Sequence, residues 1–296
     1  MIVESPTADF VTVIEDSRRW RDIEFRDDDI IISTPPKSGT TWTQGMLLSM
    51  LWPDGDPPGT LPELSPWVDS RRSPIADLQD HLASQTHRRF IKTHSPGDTT
   101  PFSPAASYLT VHRDPADALV SWGNHRAKMR APVMESFNEM AAADGLDPLP
   151  LQFEGDYDVL LDEWTAYCSP ARHLAGWWDR RHEPNVLMLH YADLSTDLGF
   201  DMRRIAAFTD IEVPDAAWPE VVERCRIDAM RETARTTWEI ERGFEGGADS
   251  FFNKGGSGRG AEVLSDAQLT CVRSHCEDLL PPEAVTWLYE GGPVPD

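Results

Sequence analysis

The sequence predicts a single α/β domain over residues 1–296, a central parallel sheet flanked by helices, and three observations predict it. Four short runs rich in apolar or β-branched residues, beginning at Ile30, Arg89, Ser107 and Val186, are separated by stretches with helical spacing. Strands that alternate with helices need right-handed crossovers, so they pair in parallel. The first run, Ile30-Ile31-Ile32, leads through a bend at 33–39 into a helical pattern from Thr40, a strand–loop–helix unit that opens at the carboxyl edge of such a sheet. The length allows two small domains, but one large domain with a well-buried core accounts for every element.

Residues 1–28 read as a polar lead-in with a helical pattern between Phe10 and Trp20. After the bend, Met46, Leu47, Met50 and Leu51 recur at helical spacing, and a proline-rich surface loop follows from Pro53 to Pro66. Leu78 to Leu82 is helical. Arg89-Phe90-Ile91-Lys92-Thr93-His94 is the second strand and carries Lys92 and His94 to its end. The third, Ser107 to Arg113, runs into Asp114-Pro115, where proline suits the first turn of a helix bearing Ala118, Leu119 and Trp122. Residues 131–155 have no clear period and read as a flap. A long amphipathic helix is expected over 158–181, a fourth strand from Val186 to Tyr191, helices near 197–208 and 215–224, and a closing helix over 265–280. The glycine-rich stretch 244–260, with Phe251, Phe252 and Lys254 inside it, reads as a lid over phosphate.

Charge narrows the function. The net charge of −23 opposes a nucleic-acid partner, whose binding needs a basic surface. A small anionic ligand remains compatible if basic groups concentrate in a cleft, because distant surface charge is screened within about 8 Å. No basic-then-apolar leader and no bilayer-length apolar run is present, so the expectation is a soluble cytoplasmic protein without a membrane partner. Cys168, Cys225, Cys271 and Cys276 lack disulfide or zinc spacing, and His182-Glu183 lacks the second histidine of a zinc motif. No metal is implied.

The bend itself asks for an anion. Thr40 and Thr41 begin a helix, so unpaired N–H groups and the positive end of its dipole face the loop. Capping alone explains Ser, Gly and Thr there; it does not explain Lys37, one of four lysines against twenty-three arginines. A nucleoside-triphosphate loop places its lysine after a glycine, whereas here Lys37 precedes Ser38-Gly39. The loop is P-loop-like with a different pattern.

Pro36-Lys37-Ser38-Gly39-Thr40-Thr41-Trp42 resembles the 5′-phosphosulfate loop of cytosolic-type sulfotransferases, which use 3′-phosphoadenylyl sulfate (PAPS). Lys92-Thr93-His94 with Pro96 resembles the segment that supplies that family's base. Arg113 and Ser121, eight residues apart, resemble its 3′-phosphate clamp. The resemblance implies His94 as general base, Lys37 at the leaving oxygen and Lys92 near the sulfuryl group, so His94, Lys37 and Lys92 are the catalytic candidates. It implies a nucleotide site built from Lys37, Ser38, Gly39, Thr40, Thr41, Trp42, Arg113, Ser121, Tyr191, Lys254, Gly255 and Arg259. The product would be adenosine 3′,5′-bisphosphate and the acceptor a small hydroxyl or amine compound.

Departures lie at Pro35, at Cys225, where a hydroxyl residue is frequent, and in the lid, where Asn253 replaces a usual arginine and Gly260 a common tryptophan. A family dimer motif is not matched at Ala261, Ser265-Asp266 and Thr270, so the oligomeric state stays open. Two other readings remain: a nucleotide-dependent phosphotransferase, marked by magnesium-dependent ATP hydrolysis, and a non-catalytic nucleotide-binding module, marked by lack of turnover.

Overall fold

A computed structural model describes residues 3–167, 169–236, 238–252 and 255–296, with the side chains of Trp238 and Glu239 outside the description. The four expected strands form one sheet: β1 Ile30–Ser33, β2 Phe90–Thr93, β3 Ser107–His112 and β4 Val186–His190, in the order β2-β1-β3-β4. All three pairings are parallel, with Ile31 opposite Ile91 on one side and Tyr108 on the other. β1 is central, and the chain leaves it toward β2 before crossing back to β3. The crevice at the carboxyl ends of these strands is therefore the topological switch point.

Alternation along β1 explains the two faces. Ile31, Ile91, Tyr108 and Met188 pack with Trp20, Leu174, Trp177 and Trp287 on one side of the sheet. Ile30, Ile32, Leu109 and Val111 pack on the other with Met46, Leu47 and Met50 of α1 (Thr40–Leu51), and with Ile205 and Val221. Side chains two apart on a strand share a face, and both faces here are dry. Truncating a fully buried isoleucine of β1 to alanine costs about 2–5 kcal/mol. A third cluster, containing Leu119, Phe137, Leu160, Trp164 and Val272, joins the helices beyond β3.

Three expectations change. The stretch 131–155, read as a flap, begins with the helix Ala131–Ala142, which buries Met134, Phe137 and Ala141 against that third cluster. The side chain of Asn138 then holds the following turn through Leu149 N–H at 2.9 Å and Leu149 O at 2.8 Å. The single helix expected over 158–181 is two, Tyr157–Tyr167 and Pro170–Trp178. Pro170 cannot continue a helix from before it, and Ser169 caps the new one by accepting from Arg172 N–H. After the closing helix Asp266–Leu279 comes another, Pro282–Glu290, which seals the sheet with Trp287 and Leu288. No helix among the described residues is long and apolar enough to cross a membrane.

Candidate active site

The bend after β1 has a backbone built for an anion. Lys37 takes a φ of 68° and Gly39 a φ of 108°, which make a tight bend before α1 begins, closed by Ser38 N–H donating to Pro35 O at 3.3 Å. Only glycine suits position 39: a Cβ there would also lie 3.3 Å from the Tyr191 ring. The first intrahelical bond is Thr43 N–H to Gly39 O at 2.9 Å, so the amides ahead of Thr43 have no helical acceptor. Ser38 Oγ is buried and has no hydrogen-bond partner among the described residues. An orphaned hydroxyl inside a cradle of amides fits a phosphate-like oxygen.

Opposite this loop stands His94 at the end of β2. Its Nδ1 lies 2.7 Å from Thr34 O, and a carbonyl only accepts, so Nδ1 carries the proton and Nε2 keeps its lone pair. Its backbone N–H donates to Asp69 Oδ2 at 3.0 Å, and the same carboxylate oxygen accepts from Thr93 Oγ1 and Ser95 Oγ, both at 2.7 Å. Trp67 meets the imidazole edge-on at 5.0 Å. Burial first, then the charges of Lys92 and Lys37, hold His94 well below the usual histidine range, against the Thr34 carbonyl, which raises it. The ring is therefore neutral and able to take a proton at physiological pH.

Lys37 Nζ sits 3.1 Å from His125 Nδ1 and over the Phe251 ring at 5.1 Å. Burial, then Arg113 and Lys92, bring this ammonium from 10.5 down to about 7. Lys92 lies over the face of Trp67 at 4.0 Å. His125 is held well below its ordinary range, by burial first and then by Lys37.

Arg113 follows β3. Its guanidinium donates to Lys37 O at 3.2 Å and to Gly256 O at 2.8 Å, and stacks over Tyr191 at 4.4 Å; its Nε has no partner among the described residues. The ion pair with Asp117 is long, 3.9 Å, because Asp117 is engaged elsewhere. Its two oxygens accept from Gly258 N–H at 2.9 Å and Gly260 N–H at 2.7 Å, clamping the glycine-rich segment onto the helix Pro115–Lys128. That segment holds the short helices Gly247–Phe251 and Arg259–Val263. A Cβ at Gly260 would lie 2.4 Å from Ala116 Cβ, so this close packing leaves no room for a larger residue.

Trp42 donates its indole N–H to Cys225 O at 2.8 Å and meets Tyr191 edge-on at 5.3 Å. Lys37, Gly39, Thr40, Thr41, Trp42, Lys92, His94, Arg113, Ser121, Tyr191, Gly255 and Arg259 all border one cavity of about 1010 Å³. Ser38 lies buried beneath its loop. Lys254 lies outside the described residues. Residues that sequence reasoning passed over are Asp69, which anchors the His94 backbone, Trp67, His125 and Glu15. His125 follows Ser121 by four, one helical turn, and that spacing was the available signal. Asp69 and Glu15 carried none, because isolated bridges, Trp67 to Lys92 and Glu15 to Ser70, bring their segments to β2.

Comparison with known proteins bears on this geometry. The family model described as "Sulfotransferase domain" matches residues 27–284. The glycolipid sulfotransferases of Mycobacterium bovis and Mycobacterium tuberculosis are 32% identical to this chain over 316 aligned positions, covering 97% of this chain and 97% of theirs. The crystal structure of mouse sulfotransferase SULT7A1 complexed with PAP shares the fold, with a TM-score of 0.68 at 19% identity over 93% of each chain.

Proposed function

The chain belongs to the sulfotransferase family, and on that premise we propose that it moves a sulfuryl group from PAPS to a hydroxyl of a small acceptor, with His94 as general base. The observation that carries this reading is the fixed tautomer of His94. Its proton is committed to Thr34 O, and a basic Nε2 remains on the wall of the cavity that the anion loop opens into.

PAPS, when bound, supplies an activated sulfuryl group on a phosphate leaving group. The amides at the start of α1, which have no helical acceptor, with Ser38 Oγ and Lys37 suit the phosphosulfate end; Arg113, with its unpartnered Nε, and Ser121 suit the 3′-phosphate. Trp42 and Tyr191 border the same cavity and offer ring faces for the adenine. His94 Nε2 takes the acceptor hydroxyl's proton as the new O–S bond forms. Lys37 turns from His125 to answer the charge that builds on the departing phosphate oxygen, and Lys92 steadies the sulfuryl oxygens. The mouse neighbour holds PAP, the bisphosphate such a reaction leaves, and relatives named glycolipid sulfotransferases favour an acceptor with a hydroxylated head and an apolar tail.

His94→Ala tests the assignment. Turnover of PAPS with a hydroxylated acceptor should fall at least about 100-fold, the usual contribution of a positioned base. Thermal stabilisation by adenosine 3′,5′-bisphosphate should persist. Turnover like that of the unmodified chain sinks the role of His94. Stabilisation by ATP with magnesium but not by the bisphosphate would favour a phosphotransferase instead.

A further inference from the structure

The cavity contains a carboxyl group that this chemistry does not use. Glu15 is only 3% exposed, yet it lines the cavity with Trp67, Ser70, Lys92 and His94. Local structure fixes it there. Its N–H donates to Thr12 Oγ1 at 3.0 Å, its carbonyl accepts from Thr12 N–H at 2.8 Å, and its backbone bridges to Ser70. The segment carrying Ser70 is tied to β2 in turn, since Lys92 N–H donates to Pro66 O at 3.0 Å and Val68 N–H to Lys92 O at 3.1 Å. Glu15 is thus held on the same wall as the base.

That wall is incompletely satisfied. Glu15 Oε2 and the indole N–H of Trp67 are both buried without a hydrogen-bond partner among the described residues. Burial and the nearby Asp69 carboxylate raise Glu15 well above the ordinary carboxyl range, with Lys92 pulling the other way. An unmatched acid is costly in a folded protein unless something arrives to match it. A neutral acid donates and accepts at once, as an alcohol does. An ammonium group would have to enter a cleft that already holds Lys37, Lys92 and Arg113. Farther along, Leu48, Trp52, Leu61, Val133 and Phe137 make the lining apolar.

We propose that Glu15, with Trp67 on the same wall, forms a subsite for a second hydroxyl of the acceptor, selecting a polyhydroxylated head on an apolar tail over a lone alcohol. This rests on the sulfotransferase reading of the cavity, so the experiment separates the two. The full chain is first titrated with adenosine 3′,5′-bisphosphate, and the saturated complex is then titrated calorimetrically with octyl β-glucoside and with 1-octanol, which share a tail. The unmodified protein should bind the glucoside at least tenfold more tightly than octanol. Glu15→Gln, a neutral isostere, should keep that preference within about threefold, and Glu15→Leu should abolish it without changing octanol binding. If Glu15→Leu does not fold, Trp67→Phe takes its place, with a severalfold loss of the preference expected.

No preference in the unmodified protein, or binding of neither compound, overturns the inference while leaving the donor site intact. So does a preference that survives Glu15→Leu, or an equal loss on both compounds, which would make Glu15 a partner of Lys92 alone. Failure of the bisphosphate itself to bind removes the donor reading and this inference with it.

Discussion

Lys37 makes ligand binding measurable as a proton count. With its ammonium brought down to about 7 by burial, Arg113 and Lys92, roughly nine-tenths of these side chains are neutral at pH 8 and roughly one-tenth at pH 6. A phosphate delivered to the loop favours the charged lysine. If binding returns Lys37 toward its ordinary 10.5, uptake should be about 0.9 proton at pH 8 and about 0.1 at pH 6. The dissociation constant of adenosine 3′,5′-bisphosphate should then rise roughly fiftyfold between pH 7 and pH 9. His94 and His125, which face the same space, are held well below their usual range and stay neutral across that window. The ligand's phosphates are already ionised at pH 8. Calorimetric titration at pH 8 in two buffers of different ionisation enthalpy gives the count, and Lys37→Met should abolish the uptake. Uptake below about 0.3 proton in the unmodified chain, or undiminished uptake in Lys37→Met, would refute the reasoning. Folding gives the sign independently: the native lysine binds fewer protons than the unfolded one between about pH 7 and 10.5, so Lys37 makes stability rise with pH there, and Lys37→Met should flatten that slope.

Arg113→Lys should weaken adenosine 3′,5′-bisphosphate about 10- to 100-fold and AMP far less, because the forked guanidinium is assigned to the 3′-phosphate; equal losses in a competition assay would remove that role. Glu15 has its proton affinity raised in the folded state, so stability falls as pH climbs above the ordinary carboxyl range. Glu15→Gln should therefore gain in melting temperature relative to the unmodified chain from pH 5 to pH 8, and a constant difference would contradict the burial argument. Gly260→Trp should detach the glycine-rich segment, since even a Cβ there meets Ala116 at 2.4 Å; unchanged bisphosphate affinity would show that the clamp on Asp117 does not matter to the nucleotide.

What the sequence discloses follows from how local each feature is. The isoleucine run and the Pro36–Trp42 motif sit in one stretch of chain, so β1, the bend and α1 could be read directly, and β2 to β4 followed from short apolar runs. Lys37, His94 and Arg113 converge because each ends a strand of one parallel sheet, which is a rule of topology. The helix Ala131–Ala142 hides its stripe of Met134, Phe137 and Ala141 among further alanines and a methionine, and the break before Pro170 falls inside an otherwise periodic stretch. Asp69, Trp67 and Glu15 belong to the site through two isolated bridges between segments far apart in sequence, and no spacing encodes such a contact.

The charge paradox is resolved by the same geometry. A chain of net charge −23 borders its cavity with Lys37, Lys92, Arg72, Arg113, Arg224, Arg226 and Arg259, against Glu15, Asp117 and Asp228. Asp117 is engaged by the amides of Gly258 and Gly260, Asp228 pairs with Arg231, and burial with the nearby Asp69 raises the proton affinity of Glu15. On the basic side Arg226 pairs with Glu223 and Arg224 lies 3.9 Å from Glu220, yet basic side chains still outnumber acidic ones along the lining, which leaves a positive interior within an acidic body. In water the outer charge is screened over about 8 Å, whereas the interior field acts across low-dielectric protein. The proposed bisphosphate would meet this positive interior at the loop, where Lys37 and Arg113 stand.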